Sequence, residues 1–118
     1  MKKHIDELKL HEINHAVAIA QGWKYLDDSD GLRAEYAIKN STDCYIASEY
    51  QPTTNQAQCG ELMDKVGINT RKRYFSPTKS DWSADIRGEF LQADESRLIA
   101  ACKAFLWSVY PPDGMVEI

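Results

Sequence analysis

The chain has 118 residues, 18 acidic against 14 basic, and a formal net charge of -4. That length fits one domain over residues 1–118, enough to bury roughly two thirds of the unfolded surface without staples. The mild acidity argues against a dedicated phosphate-backbone binder and is too weak for a DNA mimic.

No apolar run reaches the ~18 residues of a membrane span, and Met1-Lys2-Lys3-His4 leads into Asp6 and Glu7 rather than a signal-peptide core. Cys44, Cys59 and Cys102 are odd in number and widely spaced, each in an apolar context that suits a small buried thiol. A reducing cytoplasm is the expected setting, with no membrane.

Taken in chain order, Leu10, Ile13, Val17 and Ala20 recur at helical spacing, and Gly22 stands where a helix stops. A short extended piece, Trp23 to Leu26, precedes an acidic loop, Asp27 to Gly31. Leu32, Ala34, Tyr36 and Ile38 alternate as a strand with one face on a core. Cys44 to Ala47 is a second strand, expected beside the first.

The run from Tyr50 to Ala57 predicts a turn and a helix start. Pro52 fixes its own φ, and Thr53 and Gln56 stand three apart as in a capping box. The helix from Thr54 to Val66 presents Cys59, Leu62, Met63 and Val66 and ends before Gly67. Gly60 inside it costs about 1 kcal/mol against alanine, which close packing would explain.

Ile68 to Phe75 and Asp81 to Phe90 read as an antiparallel pair joined by Ser76–Ser80, with Trp82, Ala84 and Ile86 on one face. Asp94 is the expected cap of a third helix, from Glu95 to Tyr110, whose stripe is Leu98, Cys102, Phe105 and Val109, widened by Leu106. Pro111-Pro112-Asp113-Gly114 stops that helix, and Met115 to Ile118 is an apolar tail.

Four groups of residues invite a chemical reading. His11-Glu12-Ile13-Asn14-His15 satisfies H-E-x-x-H, which places two imidazoles one helical turn apart for zinc beside a glutamate base. Ala18 and Gln21 stand where the extended motif needs glycine and histidine, so the expectation is no metal, no cofactor and no catalytic residue. Thr53, Thr54 and Asn55 could offer hydroxyls and backbone N–H groups to an anion, with Tyr50 over a nucleobase and Arg71 or Arg73 on phosphate.

Arg71-Lys72-Arg73, beside Tyr74, Phe75 and Trp82, has the composition of a single-strand binder. Strand alternation splits that patch between two faces, so nucleic acid is disfavoured. Trp107 lies about half a turn from the apolar stripe of the last helix, with Ala100 and Ala104 on the same neutral side. Either the C-terminal tail or a partner, a second copy or a host protein, covers that side.

The order of helix, strands, Tyr50–Ala57 turn, helix, hairpin and final helix resembles the small phage α/β/α sandwich proteins of the NinX type. The resemblance rests on Glu12-Ile13-Asn14, Val17-Ala18 and Gly22-Trp23, Pro52 to Gln58, Trp82, and Ala101-Cys102-Lys103-Ala104-Phe105-Leu106. It implies an α+β domain of three helices on a small, mainly antiparallel sheet, layered α/β/α. It also implies a phage or prophage accessory protein with no established catalytic residues, and the expected role is protein–protein interaction in the host cytoplasm. The alternatives are a small-ligand binder, such as a nucleotide or anion sponge countering host immune signalling, and, third, a zinc hydrolase on His11, Glu12 and His15.

Overall fold

A computed structural model of the protein describes residues 2–27 and 34–117. The elements are β1 (Lys2–His4), a 3₁₀ turn (Ile5–Glu7), α1 (Leu10–Ala20), β2 (Lys24–Leu26), β3 (Glu35–Ala37) and β4 (Cys44–Ile46). There follow a second 3₁₀ turn (Ala47–Glu49), α2 (Gln56–Val66), β5 (Ile68–Ser76), β6 (Lys79–Ile86), β7 (Glu89–Asp94), α3 (Arg97–Val109) and β8 (Met115–Glu117). The class is mixed α+β with three helices and antiparallel strands, as expected. The strands divide into three small sheets, β1–β8, β2–β3–β4 and β5–β6–β7, rather than one. Residues Asp28–Gly31, Leu32 and Arg33, expected in the acidic loop and at a strand start, lie outside the described residues.

α1 buries Ile13, Ala16, Val17 and Ala18. It stops at Gly22, whose φ of +86° carries no steric cost without a Cβ. Leu10, expected on the buried stripe, is exposed at the first turn, where Ile5 and Leu8 are the buried side chains. β3 pairs with β4 in register Tyr36↔Tyr45, as the sequence suggested. Cys44 is exposed at the start of β4, against the expectation of three buried thiols, whereas Cys59 and Cys102 are sealed inside. Gly60 is not a close-packing site, since a Cβ there would meet nothing within 4 Å.

The hairpin region gains a third strand. Arg87 and Gly88 have φ of 57° and 80° and turn the chain between β6 and β7, so Phe90 belongs to β7 and not to the strand of Trp82. Register places Ile68, Thr70 and Lys72 opposite Ile86, Ala84 and Trp82 on the face that α3 covers. Asn69, Arg71 and Arg73 oppose Asp85, Ser83 and Asp81 on the other face.

α3 is the shared centre, packed against all three strands of that sheet, α1, α2 and the first 3₁₀ turn. Its cap is Ser96, whose Oγ accepts from the Ile99 N–H at 3.3 Å. Asp94, the expected cap, is still paired with Trp82 in β7 and accepts from the Ser96 N–H instead. Ala100, Ala101, Cys102, Ala104, Phe105 and Leu106 are buried. That is more than one stripe, because the small alanines let neighbours approach on both sides. Each fully buried large apolar side chain here contributes roughly 1.5–3 kcal/mol.

Candidate functional site

The turn that opens α2 is internally satisfied. Pro52 and Thr53 are buried. The Asn14 side-chain oxygen on α1 accepts from both the backbone N–H and the hydroxyl of Thr53, at 3.1 and 2.9 Å. The cap is Asn55, accepting from the Gln58 N–H at 3.0 Å, so α2 starts at Gln56 and Thr53 is not its cap. Thr54 and Asn55 donate their backbone N–H groups to the Gln51 carbonyl. Gln58 accepts from the Gln51 N–H and donates to the Glu49 carbonyl. Thr53 thus has its donors committed, because a long-range partner on α1 reaches it before any anion can.

Tyr50 is 4% exposed and its hydroxyl accepts from Gln21 Nε2 at 2.7 Å. Burial pushes its pKa up, so it stays a neutral phenol. It forms part of a ring cluster with Trp23 at 4.7 Å and Tyr45 at 5.2 Å, while Trp23 and Tyr45 stack at 5.6 Å. A hollow of about 210 Å³ opens over these rings, with Gln21, Gln58, Glu61 and Lys65 at its polar side. Arg71 and Arg73 do not share that hollow. They stand on the outer face of β5, and no hydrogen bond or ring contact among the described residues joins them to Thr53, Thr54 or Asn55.

The H-E-x-x-H residues are engaged separately. Glu12 accepts from the Lys9 N–H at 2.9 Å and from Lys3 Nζ at 3.0 Å, and these contacts hold its pKa below the usual carboxylate value. His15 Nδ1 shares a 2.7 Å hydrogen bond with the Tyr36 hydroxyl and meets Tyr25 edge-on at 5.1 Å; burial lowers its pKa. Tyr36 is pushed up to about 12 by burial, with Tyr25 adding to it. His11 is exposed one turn away. Among the described residues no group of three or more His, Cys, Asp or Glu side chains is placed to hold a metal ion.

The neutral side of α3 is covered by the chain itself. Ala100 and Ala104, expected at an interface, are fully buried and touch no outside surface. Trp107 is pinned by its Nε1–H donating to Gln92 Oε1 at 2.9 Å and by edge contact with His4 at 5.3 Å. Its six-membered ring lies so close to Gly114 that a Cβ there would sit 2.5 Å from it. The C-terminal segment therefore supplies the cover. What remains accessible of Trp107 faces a groove of about 460 Å³ that also includes Val66, Ile86, Leu91 and Pro111, with Arg87 and Glu89 on its rim.

Those groove walls come from α2, β6, β7 and the segment after α3. Residue spacing gave no sign that they meet. A larger hollow, about 750 Å³, runs along the β5–β6 turn between Phe75, Lys79, Asp81 and Glu95. It is an open trough of mixed charge. The most exposed aromatics among the described residues are Tyr74, Phe75 and Phe90 at 75%, 63% and 56%. Arg73 lies over Phe75 and Phe90 at 5.2 and 5.5 Å while bonding Asp81 twice at 2.8 Å.

The architecture is that of a small mixed α+β domain with aromatic hollows and grooves, in which no described helix is long and apolar enough to cross a membrane. The family model described as Bacteriophage P22, NinX matches residues 4–108, and the chain belongs to that family. It is a phage accessory protein. A search of curated proteins found no match.

Proposed function

We propose that this phage protein is a non-catalytic binding protein of the host cytoplasm, which engages a partner protein through the groove beside Trp107. The supporting observation is that Trp107 is fixed on one side by Gln92, His4 and Gly114 and turns its free edge into an apolar groove with a charged rim. Fixed aromatic side chains in concave apolar surroundings carry much of the energy of protein interfaces. Val66→Lys places a charge in the groove without removing the Trp107 contacts. A partner that co-purifies with the wild-type protein from phage-infected cells is expected to be lost with this variant, while circular dichroism stays unchanged. Retention of every co-purifying protein by folded Val66→Lys would refute the reading.

A second reading, a small-ligand binder such as a nucleotide sponge, is favoured by the hollow over Trp23, Tyr45 and Tyr50. Aromatic walls with a few polar groups are the usual make-up of a ligand site. At about 210 Å³ the hollow has room for one planar ring system rather than a dinucleotide. Binding would raise the melting temperature in a nucleotide panel, and the increase would vanish in Tyr45→Ala. The zinc hydrolase on His11, Glu12 and His15 ranks last, and stoichiometric zinc in purified protein would be needed to revive it.

A further inference from the structure

We infer that the free edge of β5 is a strand-addition site, which takes an extended acidic segment of a partner protein as a fourth strand of the β5–β7 sheet. Among the described strands β5 pairs with β6 on one side only. On its other side alternate residues turn their backbone N–H and C=O groups outward, which makes a template for another chain. Seven consecutive register positions, Ile68 to Tyr74, run without a bulge or a proline. No other edge among the described strands matches this. β1, β2, β4 and β8 have three residues each. The β6–β7 pairing shifts register at Leu91, and Gln92 of β7 is tied to Asp6 of the first 3₁₀ turn.

What guards the β5 edge is charge, and the charge specifies the occupant. β5 holds Arg71, Lys72 and Arg73 and no acidic residue, in a chain whose net charge is -4. Asp81 neutralises Arg73 in a bidentate pair. Arg71 on the outer face and Lys72 on the α3 face are exposed and have no carboxylate partner among the described residues. Arg97, held to Thr70 Oγ1 at 2.8 Å, adds a third such cation over the same Trp82 ring that Lys72 covers. Lys79, opposite Ser76, brings a fourth to the hairpin tip. A second β5 laid along this edge would set like charges against each other. A strand with two adjacent carboxylates instead sends one to each face, where Arg71 and Lys72 stand.

A single-stranded nucleic acid fits the edge less well. Lys72 lies on Tyr74 and Trp82, Arg97 on Trp82, and Arg73 on Phe75 and Phe90. Each ring beside the strand thus already carries a cation, which a stacking base would have to displace. A phosphate chain also has no donors for the outward carbonyls, whereas a peptide strand supplies donors and acceptors in alternation. The site is separate from the Trp107 groove, none of whose walls lies in β5.

The test uses the isotope-labelled full chain and an eight-residue capped peptide of threonine and valine with two adjacent glutamates at its centre. With peptide up to about 1 mM, amide resonances of Ile68–Tyr74 should shift, and hydrogen exchange at the outward β5 amides should slow at least tenfold. The same peptide with lysine for both glutamates should bind at least tenfold more weakly. So should the acidic peptide N-methylated at every residue, which keeps its charge and loses its donors. Arg71→Glu combined with Lys72→Glu should weaken the acidic peptide at least tenfold with circular dichroism unchanged. If that variant does not fold, the methylated peptide on the wild-type chain decides the matter alone. Val66→Lys, in the Trp107 groove, should leave peptide binding intact. Absence of any β5 shift or slowed exchange overturns the inference, as does equal binding of the methylated peptide. An eight-nucleotide single strand that binds these residues more tightly than the acidic peptide overturns it in favour of nucleic acid.

Discussion

Trp23, Tyr36, Tyr45 and Tyr50 on one side of the molecule, and Tyr74, Phe75 and Phe90 on the other, are similar residues in opposite circumstances. The first set sits ring against ring at 4.7 to 6.3 Å with hydroxyls tied to His15 and Gln21. The second is open to solvent and accompanied by cations, Lys72 over Tyr74 and Arg73 over Phe75 and Phe90. Backbone support explains the contrast. β2, β3 and β4 are three residues each, too short to be stable as an isolated ribbon, so side-chain burial must hold them. β5 and β6 pair along eight register positions and rest on α3. The exposed rings of this hairpin region are therefore released from a structural role.

Four measurements would break or sharpen this contrast, the largest first. Trp23→Ala should cost about 3–5 kcal/mol in urea unfolding, since it removes the ring that joins Tyr36, Tyr45 and Tyr50. Asn14→Ala should cost about 1–3 kcal/mol, because the buried Thr53 hydroxyl and N–H lose their acceptor together.

A smaller effect is expected from pH. Burial lowers the His15 pKa in the folded chain, so the unfolded chain takes up a proton first as pH falls through about 6.5. Stability is thus fully present above that value and falls as pH drops toward the lowered pKa. His15→Gln should flatten this part of the melting profile, and an identical slope would show that the ring bears no burial penalty. The smallest effect belongs to the other aromatic set. Phe90→Ser should change monomer stability by no more than ~0.5 kcal/mol. A loss of several kcal/mol would mean that the outer face supports the fold after all.

Features governed by neighbours in sequence were legible. Gly22 and Gly67 end α1 and α2 with positive φ where the apolar period stops, and Cys59, Leu62 and Met63 are buried as their spacing implies. What escaped depended on distant residues. Thr53 looked like a cap because nothing local reveals that Asn14, 39 positions earlier, accepts both of its donors. Asn55, two residues on, was free to take the role.

β7 was merged with β6 because Arg87-Gly88 is a weaker hairpin signal than Asn-Gly or Asp-Gly. Trp107 was read correctly as lying off the main stripe. Its covering groups, His4 and Gly114, come from opposite ends of the sequence, which is why Ala100 and Ala104 were assigned to a surface they do not reach. The aromatic hollow was half visible, in Tyr50, while its other walls carry no pattern that links them.

The β1–β8 ribbon carries a temporal consequence. Lys2–His4 are made before every other described element, yet their pairing strand, Met115–Glu117, is made after all of them. Until Met115–Glu117 has been made, β1 waits without its mate, and Ile5, whose backbone N–H bonds the Gly114 carbonyl at 2.9 Å, waits with it. The rest of the domain can condense around α3, but the ribbon closes only once Met115–Glu117 is free to pair. A chain cut after Val109 would keep the residues of all three helices but leave Trp107 without the Gly114 segment over it, a form exposed to chaperones and proteases.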